Sequence, residues 1–277
     1  MGGTVDLFAA AAANAGSLNT RLESLLGGLP PAEQDTVKRF VDVVQQHGRI
    51  SINMQLTAIN HMLVFGAHQN VYEWAADQSD LSGRPRDDII RERLGPWFGP
   101  RTAFDSQFAD GQDFRYGALN IGGPGAAKYG EVCVVLKADF PANEARIAYL
   151  RDDSLTLCTL AGGAVDGSRA CAGAASGTHR GALAGLKHAT DVCACPDHEW
   201  PVKLCSDAVC IEAVFVEKPT PDSVQSARMS GTGLARLRGL AYDDYRQKLS
   251  VESKGYAGQF AILCRLLRQR TIPLESV

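Results

Sequence analysis

The chain has 277 residues, 45% of them hydrophobic, and a formal net charge of −3. That is enough apolar material for one sizeable core or for a core domain with a helical lobe. No dense Lys/Arg block is present that would track a phosphate backbone, and no stretch approaches the roughly 20 apolar residues of a membrane span, so nucleic acid and membrane are both poor partners.

The opening MGGTVDLFAAAAANAG lacks the basic leader of a secretory signal and its apolar run is mostly alanine, so the expectation is a soluble protein. Gly2 invites a myristoylation reading, but Asp6 stands where Ser or Thr is needed. From Pro30 to Gly48 the residues Val37, Phe40, Val41 and Val44 recur at helical spacing, with prolines at the start and Glu33 in the first turn, which predicts an amphipathic helix. A second helical pattern runs through Met54, Ile59, Met62 and Leu63, and a third through Ile89, Ile90 and Leu94 until Gly95-Pro96 stops it. Residues 1–100 therefore read as a helical lobe, and residues 101–277 as the sheet-bearing core, the two forming one compact unit.

After a loop from Gly99 to Asp113 come short runs rich in valine, cysteine and aromatic residues: Phe114 to Ile121, Val132 to Leu136, Arg146 to Leu150, Leu155 to Leu160 and Val209 to Val216. These predict strands. Between the last two, Ala161 to Ala208 opens with AGGAVDGSRACAGAASG, small residues that build little core alone, so this stretch reads as a functional or disordered loop. Helical signals return at Leu234 to Leu249 and at Phe260 to Leu267. Arg265, Arg268 and Arg270 there fit dipole compensation and a solvated face. Eight cysteines are scattered irregularly, which favours reduced thiols over a disulfide scaffold.

Two of the strands carry candidate chemistry. In RYGALN, alternation puts Arg115 and Tyr116 on opposite faces, and Gly117 would let a ligand approach the backbone. An arginine fork suits a diphosphate, although an edge-strand arginine beside an aromatic core residue would look the same. In CIEAVFVE, Cys210, Glu212, Val214 and Val216 share one face. Glu212 is then either a solvated edge residue or an acid facing a cleft, where it could hold a ribose hydroxyl and stabilise positive charge as a glycosidic bond opens. Ser154 and Thr156, at the start of the run from Leu155, either satisfy a turn or brace that acid.

RYGALNI followed by KYGEVCVVLK, then DDS, then CIEA, resembles the arginine, serine and glutamate pattern of mono-ADP-ribosyltransferases. The first part is similar to a bacterial family marked by a YGALN strand, and within the class the chain looks most like effectors of the CteC type, which modify ubiquitin on threonine. The resemblance covers roughly Phe104 to Glu217, and YGALN is its distinctive motif. It implies an α+β fold with a split, mainly antiparallel sheet beside an N-terminal helical lobe. It also implies NAD as substrate, Glu212 as the catalytic acid, and cofactor contacts from Arg115 and Ser154. Tyr116-Gly117 also resembles the His-Gly pair of the diphtheria-toxin class, whose glycine backbone holds the nicotinamide amide, so either neighbour could anchor NAD, and Asn120 would extend the Tyr116 face. Arginine-modifying members carry a second acid two residues before the glutamate. Here that position is Cys210, and a thiol cannot orient a guanidinium, which turns the expected acceptor toward a hydroxyl. The implied protein is a monomeric bacterial effector or toxin that reaches a target cytosol without a Sec signal peptide and takes a protein acceptor, with ubiquitin the foremost candidate. No metal is expected.

Three other readings compete. Cys193, Cys195, His198 and Cys205 form the best metal candidate, without the paired C-x-x-C spacing of usual zinc sites. A cysteine-dependent hydrolase or deamidase would pair Cys133, Cys158 or Cys193 with His179, His188 or His198, though no nucleophile signature accompanies them. A non-catalytic binding module would use the helical half, with His61 and His68 as ordinary helix-face residues. Trp97, Phe104 and Tyr129 are open between nicotinamide stacking and core.

Overall fold

A computed structural model of the chain describes residues 4–246 and 250–277. Gly2 and the last residues of the helix expected up to Leu249 lie outside them. The fold is α+β, with one seven-stranded sheet and helices against both its faces. The strands are β1 (Arg49–Met54), β2 (Arg115–Asn120), β3 (Val132–Leu136), β4 (Ile147–Leu150), β5 (Glu212–Phe215), β6 (Val224–Met229) and β7 (Leu274–Ser276), in the spatial order β4-β5-β2-β1-β3-β6-β7. Every neighbouring pair is antiparallel except β6–β7, so the sheet is mixed. Among the described residues no helix is long and apolar enough to cross a membrane.

The first hundred residues are not a purely helical lobe, because β1 lies in the middle of the sheet between β2 and β3. Its sequence RISINM alternates with period two, Ile50, Ile52 and Met54 entering the main core while Ser51 and Asn53 turn to the other face. Met54 thus ends a strand, and α4 (Leu56–Phe65) starts two residues later. The helix expected near Pro30 is α3 (Pro31–His47), which buries Val37, Phe40 and Val44. Two further corrections concern the second half. Leu155 to Leu160 is not a strand: Ser154–Cys158 forms the short helix α8, started by Asp153, whose side chain accepts from the amides of Leu155 and Thr156. Nor is Ala161 to Ala208 an open loop. It contains α10 (Arg180–Cys193), which packs on α3. The small residues make that approach possible, since a Cβ on Gly181 would lie 2.6 Å from the Val41 carbonyl oxygen and one on Gly185 2.5 Å from the Val41 Cγ2.

The sheet's two faces are unlike. One carries Ile50, Ile52, Leu119, Val134, Ala213 and Phe215 into the main core with α3, α4 and α10. The other carries Ser51, Tyr116, Asn120 and Glu212. At its β4–β5 end it is covered by a cluster of Phe8, Phe104, Phe108 and Phe114. The feature that positions the site is the brevity of the β1–β2 ladder. It comprises three pairs, ending at Ser51 and Ala118. Beyond that point Ile52–Met54 pair only with β3 and Arg115–Gly117 only with β5, so two central strands part within a continuous sheet.

Candidate active site

A cavity of about 600 Å³ occupies the opening between these strands, within the size range of small-molecule sites. Ile52 and Asn53 border it on one side, and Tyr116, Gly117 and Ala118 on the other, while Glu212, Asp153, Cys210 and Tyr129 close one end. Its cover comes from helices: Thr57, Ala58 and His61 of α4, Tyr72 and Trp74 of α5 (Val71–Ser82), Arg93 of α6 (Arg86–Leu94), and Arg101 and Asp105 of α7 (Phe98–Asp105).

Glu212 opens β5 directly opposite Ala118 of β2, which puts it on the same face as Tyr116 and Ser51. It is 6% exposed. A carboxylate in that setting requires hydrogen-bond and charge partners. The Ser154 amide donates to its Oε2 at 2.9 Å, and Arg101 stands nearby. Burial pushes its pKa up to about 7; the Arg101 charge and the Ser154 donors pull down against this, and Asp153 adds to the rise. The group is therefore poised between its two protonation states at neutral pH.

Arg101 ties the wall together. Its guanidinium lies 3.9 Å over the Tyr116 ring, and its Nη1 donates to Ser154 Oγ at 3.1 Å, so one cation reaches both an aromatic wall of β2 and the residue that holds Glu212. Burial opposes its charge, but the surrounding Tyr116, Glu212, Asp105 and Asp153 outweigh that and keep it protonated. Asp105, itself 2% exposed, accepts from the hydroxyls of Tyr72 at 2.7 Å and of Tyr116. Burial still raises the Asp105 pKa, against the pull of Arg101 and the two phenols.

Glu212, Tyr116, Gly117 and Arg115 all border the cavity and Ser154 braces Glu212, whereas Asn120 lies outside the lining. The register puts Arg115 on the face opposite Glu212. Its side chain is 1% exposed; Nη1 donates to the carbonyls of Asp113 (2.8 Å) and Val216 (2.7 Å), and Nη2 to Glu73 Oε2 (2.6 Å). With three of its four terminal N–H groups spent and the side chain sealed, Arg115 staples the start of α5 to the start of β2 and presents no open fork to a diphosphate; its Nε is buried without a partner. Asn120 clamps its own turn, its Oδ1 accepting from Gly122 and Gly123 and its Nδ2 donating to the Gly123 carbonyl and to Ser51. Gly117 is small for β1 rather than for a ligand, because a Cβ there would meet Ser51 O at 2.8 Å and Ile50 Cγ2 at 2.9 Å. Of the three aromatics left open, Tyr129 borders the cavity with its hydroxyl 3.3 Å from Asp153, Phe104 is core, and Trp97 is exposed outside the lining. His68 lies in the turn after α4 rather than on a helix, and burial lowers it to about 4.

Sequence reading missed Arg101, Asp105, Tyr72 and Asp153. The first three come from helices distant in sequence from Glu212, and no local spacing marks them. Asp153, next to Ser154 in DDS, was findable as a helix N-cap.

The competing sites find less support. No group of three or more His, Cys, Asp or Glu side chains among the described residues is arranged for a metal, so Cys193, Cys195, His198 and Cys205 do not converge. Burial pushes the thiols of Cys133 and Cys158 up to about 11 and also raises that of Cys193, the reverse of what an activated nucleophile needs. Comparison with protein-family models, with curated proteins and with solved structures returns no match.

Proposed function

We propose that the chain is a mono-ADP-ribosyltransferase that transfers ADP-ribose from NAD to a hydroxyl of a protein acceptor, with a threonine of ubiquitin as the foremost candidate. One observation carries the reading: a buried carboxylate, Glu212, poised near pH 7 and braced by Ser154 and Arg101, lies in the cavity where β1 and β2 part. The resemblance of DDS and CIEA to the serine and glutamate of the transferase pattern supports it, whereas Arg115, the arginine of that pattern, is engaged within the protein.

In this reaction the bond between the anomeric carbon and the nicotinamide nitrogen breaks, and its electron pair leaves with nicotinamide. The carbon takes on oxocarbenium character, which the buried Glu212 carboxylate stabilises by its negative charge. The acceptor hydroxyl then bonds to that carbon, and its proton passes to Glu212, whose pKa near 7 suits a general base at neutral pH. Ser154 fixes the carboxylate through its amide, and Tyr116 and Tyr129 supply aromatic walls. Cys210 borders the same cavity as a neutral thiol. It offers no charge to orient an incoming guanidinium, which favours a hydroxyl acceptor. Action as a bacterial effector inside a target cell is part of the same proposal.

The test is incubation with labelled NAD and a panel of protein acceptors that includes ubiquitin, comparing wild type with Glu212→Gln. Label should reach a hydroxyl-bearing side chain with wild type only. Undiminished labelling by the variant would remove Glu212 from the chemistry.

A further inference from the structure

Arg101 is a buried cation with unspent donors. Its side chain is 13% exposed, and the exposed part faces the cavity, which Arg101 lines. Of its five N–H groups one is donated, from Nη1 to Ser154 Oγ. Nε and Nη2 have no protein hydrogen-bond partner among the described residues, and neither is a sealed, unsatisfied atom, so both are reached from the cavity. The carboxylate closest to it, Asp105, stands 3.9 Å from Nη1, with its two oxygens already taken by the hydroxyls of Tyr72 and Tyr116. Glu212 accepts from the Ser154 amide and makes no direct hydrogen bond to Arg101.

A second arginine borders the same cavity. Arg93 is exposed, lies 5.4 Å over the Trp74 ring, and among the described residues has no carboxylate within 4.0 Å. Its charge therefore has no carboxylate partner, while that of Arg101 is shared with Asp105, Glu212 and Asp153 and only its donors are free. Two guanidinium groups with free forks on the helical cover, one buried and preset by an aromatic face, are the arrangement that recognises a phosphoryl group, whose oxygens accept paired N–H donors. Arg115, by contrast, is sealed, with three of its four terminal N–H groups bonded within the protein.

We infer that Arg101, with Arg93 on the lining of the same cavity, forms a binding subsite for a diphosphate anion, and that α6 and α7 rather than β2 anchor the charged part of the ligand. The inference rests on the transferase reading for naming that diphosphate as part of NAD; the subsite itself rests on the two arginines alone. Arg101 would then touch the ligand with Nε and Nη2 while holding Ser154 with Nη1, which couples seating of the diphosphate to placement of Glu212.

The test is calorimetric titration of wild type, Arg93→Gln, Arg101→Gln and Arg101→Lys with inorganic pyrophosphate and, separately, with ADP-ribose, at two salt concentrations. Wild type should bind both ligands, more weakly at higher salt. Arg93→Gln, an exposed position where folding is not at stake, should weaken both by about 5- to 10-fold, and Arg101→Gln by about 10- to 100-fold, the loss of charge-assisted hydrogen bonds. Arg101→Lys keeps the charge without the fork and should fall between wild type and Arg101→Gln. Wild type that binds no pyrophosphate, or Arg93→Gln and Arg101→Lys variants that bind both ligands as wild type does, would overturn the subsite. Pyrophosphate binding through Arg93 and Arg101 in a protein that transfers nothing from NAD would uphold the subsite and end the transferase reading. Transfer with unaltered ligand affinity in the variants would do the opposite.

Discussion

At the scale of single residues, the protonation of Glu212 has a sign that can be checked. Its folded pKa of about 7 stands above the ordinary 4.5, because burial disfavours the charged form. Its contribution to stability is therefore fully present below the unfolded value and is lost as pH rises through about 7. Replacing it with Gln removes that loss, and a shift of this size corresponds to roughly 3 kcal/mol at most. Urea unfolding should show Glu212→Gln more stable than wild type at pH 8 and no more stable at pH 4.5; equal stability differences at the two values would show that the carboxyl titrates as an ordinary surface acid. Activity should move the other way, because the chemistry needs the carboxylate.

At the scale of elements, much was legible and the misses have causes. The helix α3 and the strands β2, β3 and β5 announce themselves through periodicity and β-branched content. β1 alternates just as clearly, but it lies between two helical patterns, and Met54 fits the helical one. β6, VQSARM, places Gln225 and Arg228 among small residues, and its pairing partners β3 and β7 rather than its own composition make it a strand. Leu155 to Leu160 has strand-like composition, yet the Asp153 cap turns it into α8, and that cap is also what aims the Ser154 amide at Glu212. The small residues that open the stretch from Ala161 to Ala208 hide the helix α10 that follows them, whose own Gly181 and Gly185 are the condition for its contact with α3. Gly181→Ala should cost roughly 1–3 kcal/mol by overpacking against the Val41 carbonyl. Gly239→Ala, on α12 (Gly231–Tyr245) with nothing within 4 Å of the added Cβ, should be neutral or slightly stabilising. Thermal melts that rank the pair the other way would contradict the close α3–α10 packing.

At the scale of the whole molecule, the two halves read from sequence share one continuous sheet. β1 from the first half pairs with β2 and β3 from the second, and the first half also supplies α4–α6 and the first turn of α7, which cover the cavity. A fragment of residues 101–277 would expose the edges of β2 and β3 and lose Tyr72, which with Tyr116 holds Asp105, together with the cover of α4–α6. It should lack cooperative thermal unfolding by circular dichroism; a fragment that melts sharply and keeps a native spectrum would show that the helical half is an independent lobe after all. The acid on β5 could be read from sequence as one of two alternatives. The parting of the central strands and the arginine brought to it by α7 could not, because both arise from pairings between segments far apart in the chain.

The central claim is that Glu212 acts as a carboxylate on NAD. Nicotinamide release from NAD, measured from pH 5 to pH 9 for wild type and Glu212→Gln in the presence of ubiquitin, tests it most directly. The wild-type rate should rise as pH passes through about 7, and the variant should be slower by on the order of 10²- to 10³-fold with that rise abolished. A variant that releases nicotinamide at the wild-type rate, with the same pH dependence, would contradict it.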